Sequence, residues 1–189
     1  MSSHSSLELA GAAAQLGQQL GDQVIVADIG GVSYGIPVAD LLEVEYVPNI
    51  APVPHTADWL HGVVNLRGAI LTLIDPARLL QVGAWGRTPQ ARMLVVGRED
   101  PVALAISQLR GMRQFTEPVS PDLVERMPGR VAEYVETVYR DGENFLIVLA
   151  IKRILDDADR FSRRQNETRT VIGDPSPGGH VPALERGDV

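Results

Sequence analysis

The chain alternates strand-length apolar runs with glycine- and proline-rich breaks and rarely sustains a helical period. Val24-Ile25-Val26-Ala27, Val32–Val38, Leu42–Val47, Val63-Val64 and Ala69–Ile74 read as successive strands. Gly30-Gly31 sits between the first two, and two residues that tolerate positive φ predict a tight hairpin there. Pro37 and Pro48 mark strand ends or edges, since proline has no N–H to give a ladder. Pro48, Pro52 and Pro54 predict an irregular connection over 48–58, and Gly83, Gly86 and Pro89 predict a lobe boundary over 83–90. Leu7, Leu9, Ala13, Leu16 and Leu20 predict a short amphipathic helix in an extension spanning 1–22. Beyond Asp157 the text turns polar and then Pro/Gly-rich, which predicts a disordered tail over 158–189.

The second half echoes the first. Tyr34–Leu41 is matched by Val102–Leu109 at a displacement of 68 residues, each after a strand and a turn. Ala69–Leu80 is matched by Asn144–Leu155 at a displacement of 75. Two matches in the same order point to a duplicated β-rich unit, with lobes at roughly 23–82 and 91–157 between which strands can cross over. Many short strands with Gly/Pro turns favour small barrels over βαβ units.

Composition narrows the function classes. The 189 residues carry no cysteine, which excludes a disulfide scaffold, a thiol nucleophile and a thiolate metal site, and leans towards a reducing compartment. A net charge of -7 argues against a nucleic-acid surface. No apolar stretch approaches the length of a membrane span, and the start lacks a secretory pattern, so the expected location is cytoplasmic.

Catalytic chemistry is not legible. Gly30-Gly31 lacks the third glycine of a dinucleotide fingerprint and the Lys-Ser/Thr of a phosphate loop. His55, Asp58 and His61 are near in sequence, but no second cluster completes a ligand set, so they read as loop or surface residues. No catalytic residue, cofactor or metal is expected. The distinctive segment is Leu60–Gly68, ending Asn65-Leu66-Arg67-Gly68 where one strand turns into the next. One reading is structural: Asn65 bonds the backbone, Gly68 takes a special φ/ψ, and Arg67 is a solvated turn residue. The other is functional: a guanidinium held at a turn grips a carboxylate or carbonyl of a partner.

From about Gln23 to Leu155 the chain resembles the CheW-like family of chemotaxis coupling proteins. The resemblance rests on Tyr34-Gly35-Ile36-Pro37-Val38, Glu43-Val44, Ile50–Pro54, Gly62–Gly68, Leu73-Ile74-Asp75 with Arg78-Leu79-Leu80, and Leu109–Met112. It implies an all-β fold over 23–157: two SH3-like five-stranded β-barrel lobes packed around a hydrophobic cleft, with short terminal helices. It also implies a non-enzymatic adaptor between methyl-accepting chemoreceptor tips and the regulatory domain of a CheA-type histidine kinase, at membrane-associated receptor arrays. The alternative is a stand-alone relative that competes for or sequesters one partner. By motif, Asn65, Arg67, Gly68, Val38 and Val64 are expected at the receptor surface, and Val102, Ile106, Leu109 and Met112 at the kinase surface. For the apolar members, ordinary core is an equal reading. Leu109–Phe115 is similar to the branch attached to type IV pilus systems. Ala150 and Ser107 depart from the family habit of an aspartate at those strand ends.

Overall fold

The computed structural model describes residues 22–119 and 127–171. The predicted N-terminal helix lies outside them. Eleven strands are described: β1 (Asp22–Ile29), β2 (Val32–Pro37), β3 (Leu41–Tyr46), β4 (Ile50–Ala51), β5 (Leu60–Leu66), β6 (Ala69–Ile74), β7 (Arg92–Val96), β8 (Val102–Ile106), β9 (Gln108–Phe115), β10 (Val135–Asp141) and β11 (Asn144–Leu149). Helix α1 (Pro76–Leu79) follows β6, and α2 (Ile151–Val171) follows β11.

The strands form two sheets, of order β10-β11-β2-β1-β9 and β3-β7-β8-β6-β5-β4. The first has the expected five strands; the second gains a sixth through two-residue β4. Each sheet joins a hairpin from one half of the chain, in parallel, to a hairpin from the other half. In the first, β11 runs parallel to β2 with Val148 opposite Gly35; in the second, β6 runs parallel to β8 with Leu73 opposite Ala103. These are one pair under the sequence repeat, since Gly35 and Ala103 differ by 68 and Leu73 and Val148 by 75. The duplication is therefore real in three dimensions, but its copies are interleaved. Strands cross over between the halves 23–82 and 91–157: β1 and β2 sit with β9–β11, and β3–β8 make the other sheet.

The segment 83–90 is not a loose boundary. Trp85 is buried inside the second lobe, its indole N–H donates to the Ile106 carbonyl at 3.1 Å, and Arg87 donates to the Val47 carbonyl at 2.6 Å. An indole fills space that glycine and proline counts do not reveal.

Three apolar clusters hold the body together. Val24, Val26, Tyr139, Leu146 and Val148 fill the first lobe, and Val47, Val64, Leu71, Leu73, Trp85 and Met93 are among those filling the second. The largest lies between the sheets and takes Ala27, Tyr34 and Ile36 from one and Leu94, Leu104 and Ile106 from the other, with α1 and the start of α2. This shared core lies where the two lobes pack against each other. It reaches the surface at half-buried Ile25, Leu41, Val44 and Leu109.

Helix α2 continues beyond the expected boundary at Asp157 as far as Val171. Ile151, Ile154 and Ala158 recur at three- and four-residue spacing and are buried. Phe161 extends the stripe and meets Trp59 edge-on at 5.6 Å. Asp159 and Arg163 pair at 2.9 Å one turn apart. Asp156, Asp159, Arg160 and Arg163 are on the exposed face of this helix. Tyr134 donates its hydroxyl to Asp157, and Arg130 reaches Glu133 at 2.6 Å and Asp157 at 3.6 Å, which ties α2 to the turn before β10. Burial first, then the bond to Asp157, pushes the Tyr134 hydroxyl above its ordinary range.

Three neighbouring strands of the first sheet share one carboxylate. Arg110 on β9 grips Asp28 at the end of β1 at 2.6 Å, and Ser33 on β2 donates to the same carboxylate at 2.8 Å, so one side chain links three strands. The Arg110 hydrogen bond is the main reason Asp28 titrates below its ordinary value, with burial opposing it. A carboxylate depressed in the folded state stabilises above its unfolded pKa, near 3.9, and that contribution is lost as pH falls through the folded value. Asp28→Asn is thus expected to be less stable than the parent at pH 7, with the gap closing below about pH 4. Urea midpoints at neutral and acid pH measure this, and an equal gap at both would sink the assignment.

Candidate functional site

The β5–β6 hairpin turns through two residues, Arg67 and Gly68, with Leu66 opposite Ala69. Both have positive φ, +50° for Arg67 and +93° for Gly68, the combination whose twist suits a two-residue hairpin. Glycine takes this conformation freely, whereas arginine does so at a cost. Asn65 supports the turn by accepting the Gly68 N–H at 2.8 Å, as the local reading of this segment expects.

The turn aims Arg67 across the second lobe at the edge strand β3. Its guanidinium donates to Glu43 at 2.7 Å and also to Glu45. Glu43 and Glu45 alternate along β3 and so share a face, where one planar fork spans them. The hydrogen bond to Glu43, followed by the charges of Glu43 and Glu45, raises the Arg67 pKa. The side chain still keeps 69% of its surface exposed. Arg67 is accordingly a held turn residue and not a loose one. It is anchored by two carboxylates and presents its outer face to solvent.

A second role follows from the repeat, in which β9 corresponds to β3 and β10 to β5. In the first lobe the chain after β9 reaches β10 through backbone, with a Pro118–Tyr139 bridge and the Val119 N–H on the Val138 carbonyl at 2.7 Å. In the second, β4 makes the same backbone contact, with Ile50 opposite Val64, and Arg67 adds a side-chain link from the β5–β6 turn to β3. The signal that could have found this partnership is Glu43-x-Glu45 on a strand. Nothing local connects it to an arginine more than twenty residues away.

Exposed apolar side chains lie on the edge strands β3 and β9 of the two sheets. Leu42 and Tyr46 on β3 are exposed, and Arg92 stacks on the Tyr46 ring at 3.8 Å. Met112 on β9 is 60% exposed and lies opposite half-buried Ile25 on β1. Asn65, Arg67 and Gly68 are therefore together at one exposed turn. Val38 is half-buried in a short 3-10 turn, and Val64 is 1% exposed within the second lobe's core, so it has no free surface for a partner. In the other set, Val102 and Ile106 are core, Leu109 packs half-buried on the shared core, and Met112 is on the surface. Strand alternation gives the periodicity but not which face a partner sees. His61, next to the turn's strand, packs edge-on against Trp85 at 5.2 Å.

The CheW-like domain family matches residues 23–159. This chain belongs to that family. Among its relatives, the chemotaxis protein CheW of Klebsiella aerogenes is 23% identical, covering 76% of this chain and 87% of that protein. Protein PilI of Pseudomonas aeruginosa is 24% identical over 63% of this chain and 67% of its own length. Protein FrzA of Myxococcus xanthus is 31% identical over a shorter stretch, 35% of this chain and 42% of that one. The fold is that of the scaffolding protein TtCheW from Thermoanaerobacter tengcongensis, whose crystal structure matches with a TM-score of 0.60 at 21% identity, over 68% of this chain and 84% of that one. The family match ends at 159, and α2 runs twelve residues further, to Val171. No helix among the described residues is long and apolar enough to cross a membrane.

Proposed function

We propose that this protein is a non-enzymatic adaptor that couples the cytoplasmic tips of chemoreceptors to a CheA-type histidine kinase, at receptor arrays serving flagellar or pilus motility. Family membership with relatives named CheW, PilI and FrzA supports the class. The observation that carries the site is the anchored yet exposed Arg67. A guanidinium already held by Glu43 and Glu45 has little rotamer freedom to lose when a partner arrives. Leu42, Tyr46 and Met112 supply apolar contact area for receptor and kinase surfaces. The adaptor makes and breaks no bond; it transmits a receptor's population shift by holding receptor and kinase together.

The test is reconstitution with a receptor cytoplasmic fragment and a CheA-type kinase, followed by size-exclusion chromatography. A ternary complex is expected. Two binary complexes without a ternary one would favour the competitor reading. Arg67→Ala is expected to keep the fold, because exposed ion pairs contribute little to stability, and to weaken receptor binding about tenfold. Arg67→Lys should resemble Ala more than the parent, since an ammonium cannot span both glutamates as a fork does. Parent-like receptor binding by Arg67→Ala would remove the residue from the interface.

A further inference from the structure

An open groove of about 860 Å3 lies between β6, the β7–β8 turn and the first turns of α2. It shares no residue with the Arg67 cluster. Ile70, Leu71, Val102 and Leu155 give it an apolar lining, and Ile70 is 64% exposed. Ile70 points away from Leu71 and Leu73, which fill the second lobe; further along its own face Ile74 enters the shared core, leaving Ile70 uncovered. The β7–β8 turn is seated firmly, because a Cβ at Gly97 would come within 2.9 Å of the Leu155 side chain.

The charge around this lining is one-sided. Asp40, Glu99, Asp100, Asp156 and Asp159 line the groove, against Arg98 and Lys152. Asp159 is paired with Arg163, and Arg98 is turned to the Ala39 carbonyl at 3.2 Å. Among the described residues, Asp40, Glu99, Asp100 and Asp156 have no ion-pair partner. The field extends beyond the groove: burial first, then Asp40, raises the nearby Glu136 carboxyl.

We propose that this groove docks a cationic, amphipathic segment of a partner protein, with its apolar face on Ile70 and Leu155 and its lysines or arginines along the carboxylate rim. An apolar floor with a rim of net negative charge favours such a segment and disfavours nucleic acid and anionic lipid. The groove begins at Ala69, next to the Arg67–Gly68 turn but without its charged residues, and gives the adaptor a third contact.

The probe is a short fluorescein-labelled helix-forming peptide of leucine and lysine, titrated with the full chain and followed by anisotropy. Ile70→Ser and the double variant Glu99→Gln/Asp100→Asn are each expected to weaken binding about tenfold, and the double variant to flatten its salt dependence. Asp141→Asn/Glu143→Gln, in the β10–β11 turn, is expected to bind as the parent does. A leucine/glutamate peptide is expected not to bind. Parent-like affinity in both groove variants, or an equal loss in the β10–β11 pair, would overturn the proposal. So would a parent oligomer, seen by light scattering, that the groove variants dissociate, because a second copy of the chain would then occupy the groove. Should Ile70→Ser unfold, the Glu99/Asp100 pair, confined to an exposed turn, still decides.

Discussion

Asp75→Ala is expected to destabilise the protein by about 3–5 kcal/mol, a large share of a typical domain's stability. Asp75 is 0% exposed, the one buried charged side chain among the described residues. Its Oδ1 accepts the Ala77 and Arg78 N–H groups at 3.0 and 3.2 Å, capping α1, and its Oδ2 accepts the Trp85 N–H at 2.8 Å. Arg78 lies 3.4 Å away and balances the charge. Alanine leaves three backbone donors facing apolar surroundings and also frees the loop that carries Trp85. Asp75→Asn keeps one acceptor oxygen but sets an amide NH2 against a donor, so about 1–3 kcal/mol is expected. Denaturant titration followed by circular dichroism reads both. A loss below about 1 kcal/mol for Asp75→Ala would mean that water or loop movement replaces the carboxylate.

The repeat explains why this aspartate stands alone. The Asp75 N–H donates to the Trp59 carbonyl at 2.7 Å, and the Ala150 N–H donates to the Tyr134 carbonyl at 2.7 Å, the same contact at the displacement of 75 residues. The side-chain cap is not repeated, since Ala150 has no carboxylate. Four-residue α1 has too few internal bonds to stand without a cap; α2 is 21 residues long and is held by buried Ile151 and Ile154.

Ile106→Ala and Met112→Ala are expected to part company sharply, although both residues read from sequence as kinase contacts. Ile106 is fully buried in the shared core, and its carbonyl accepts the Trp85 indole. Its truncation leaves a cavity where the two sheets meet, at a cost of about 2–5 kcal/mol. Any loss of partner binding should then follow the unfolded fraction. Met112 is exposed on β9, and Met112→Ala is expected to change stability by no more than about 0.5 kcal/mol. Kinase affinity measured well below the melting temperature separates the two effects. If Ile106→Ala folds as the parent does yet loses kinase, Ile106 belongs to an interface after all.

Much of the local architecture follows from the text of the chain. Alternating apolar runs, Gly30-Gly31, the proline breaks and Asn65–Gly68 determine strands and turns because each acts within a few residues. The duplication is legible for the same reason: a repeated pattern needs no knowledge of contacts. Which strand pairs with which is not legible, because the faces match equally well in either arrangement. Only packing decides that each sheet combines hairpins from both halves. Burial divides the expected contacts in the same way, since Val64 and Ile106 carry the same apolar signal as a surface methionine until packing buries one inside the second lobe and the other in the shared core. The Arg67 site shows the division most clearly. Sequence places the arginine at a turn, and tertiary structure alone supplies Glu43 and Glu45, 24 and 22 residues away, because β3 returns to that corner only when the second sheet curls.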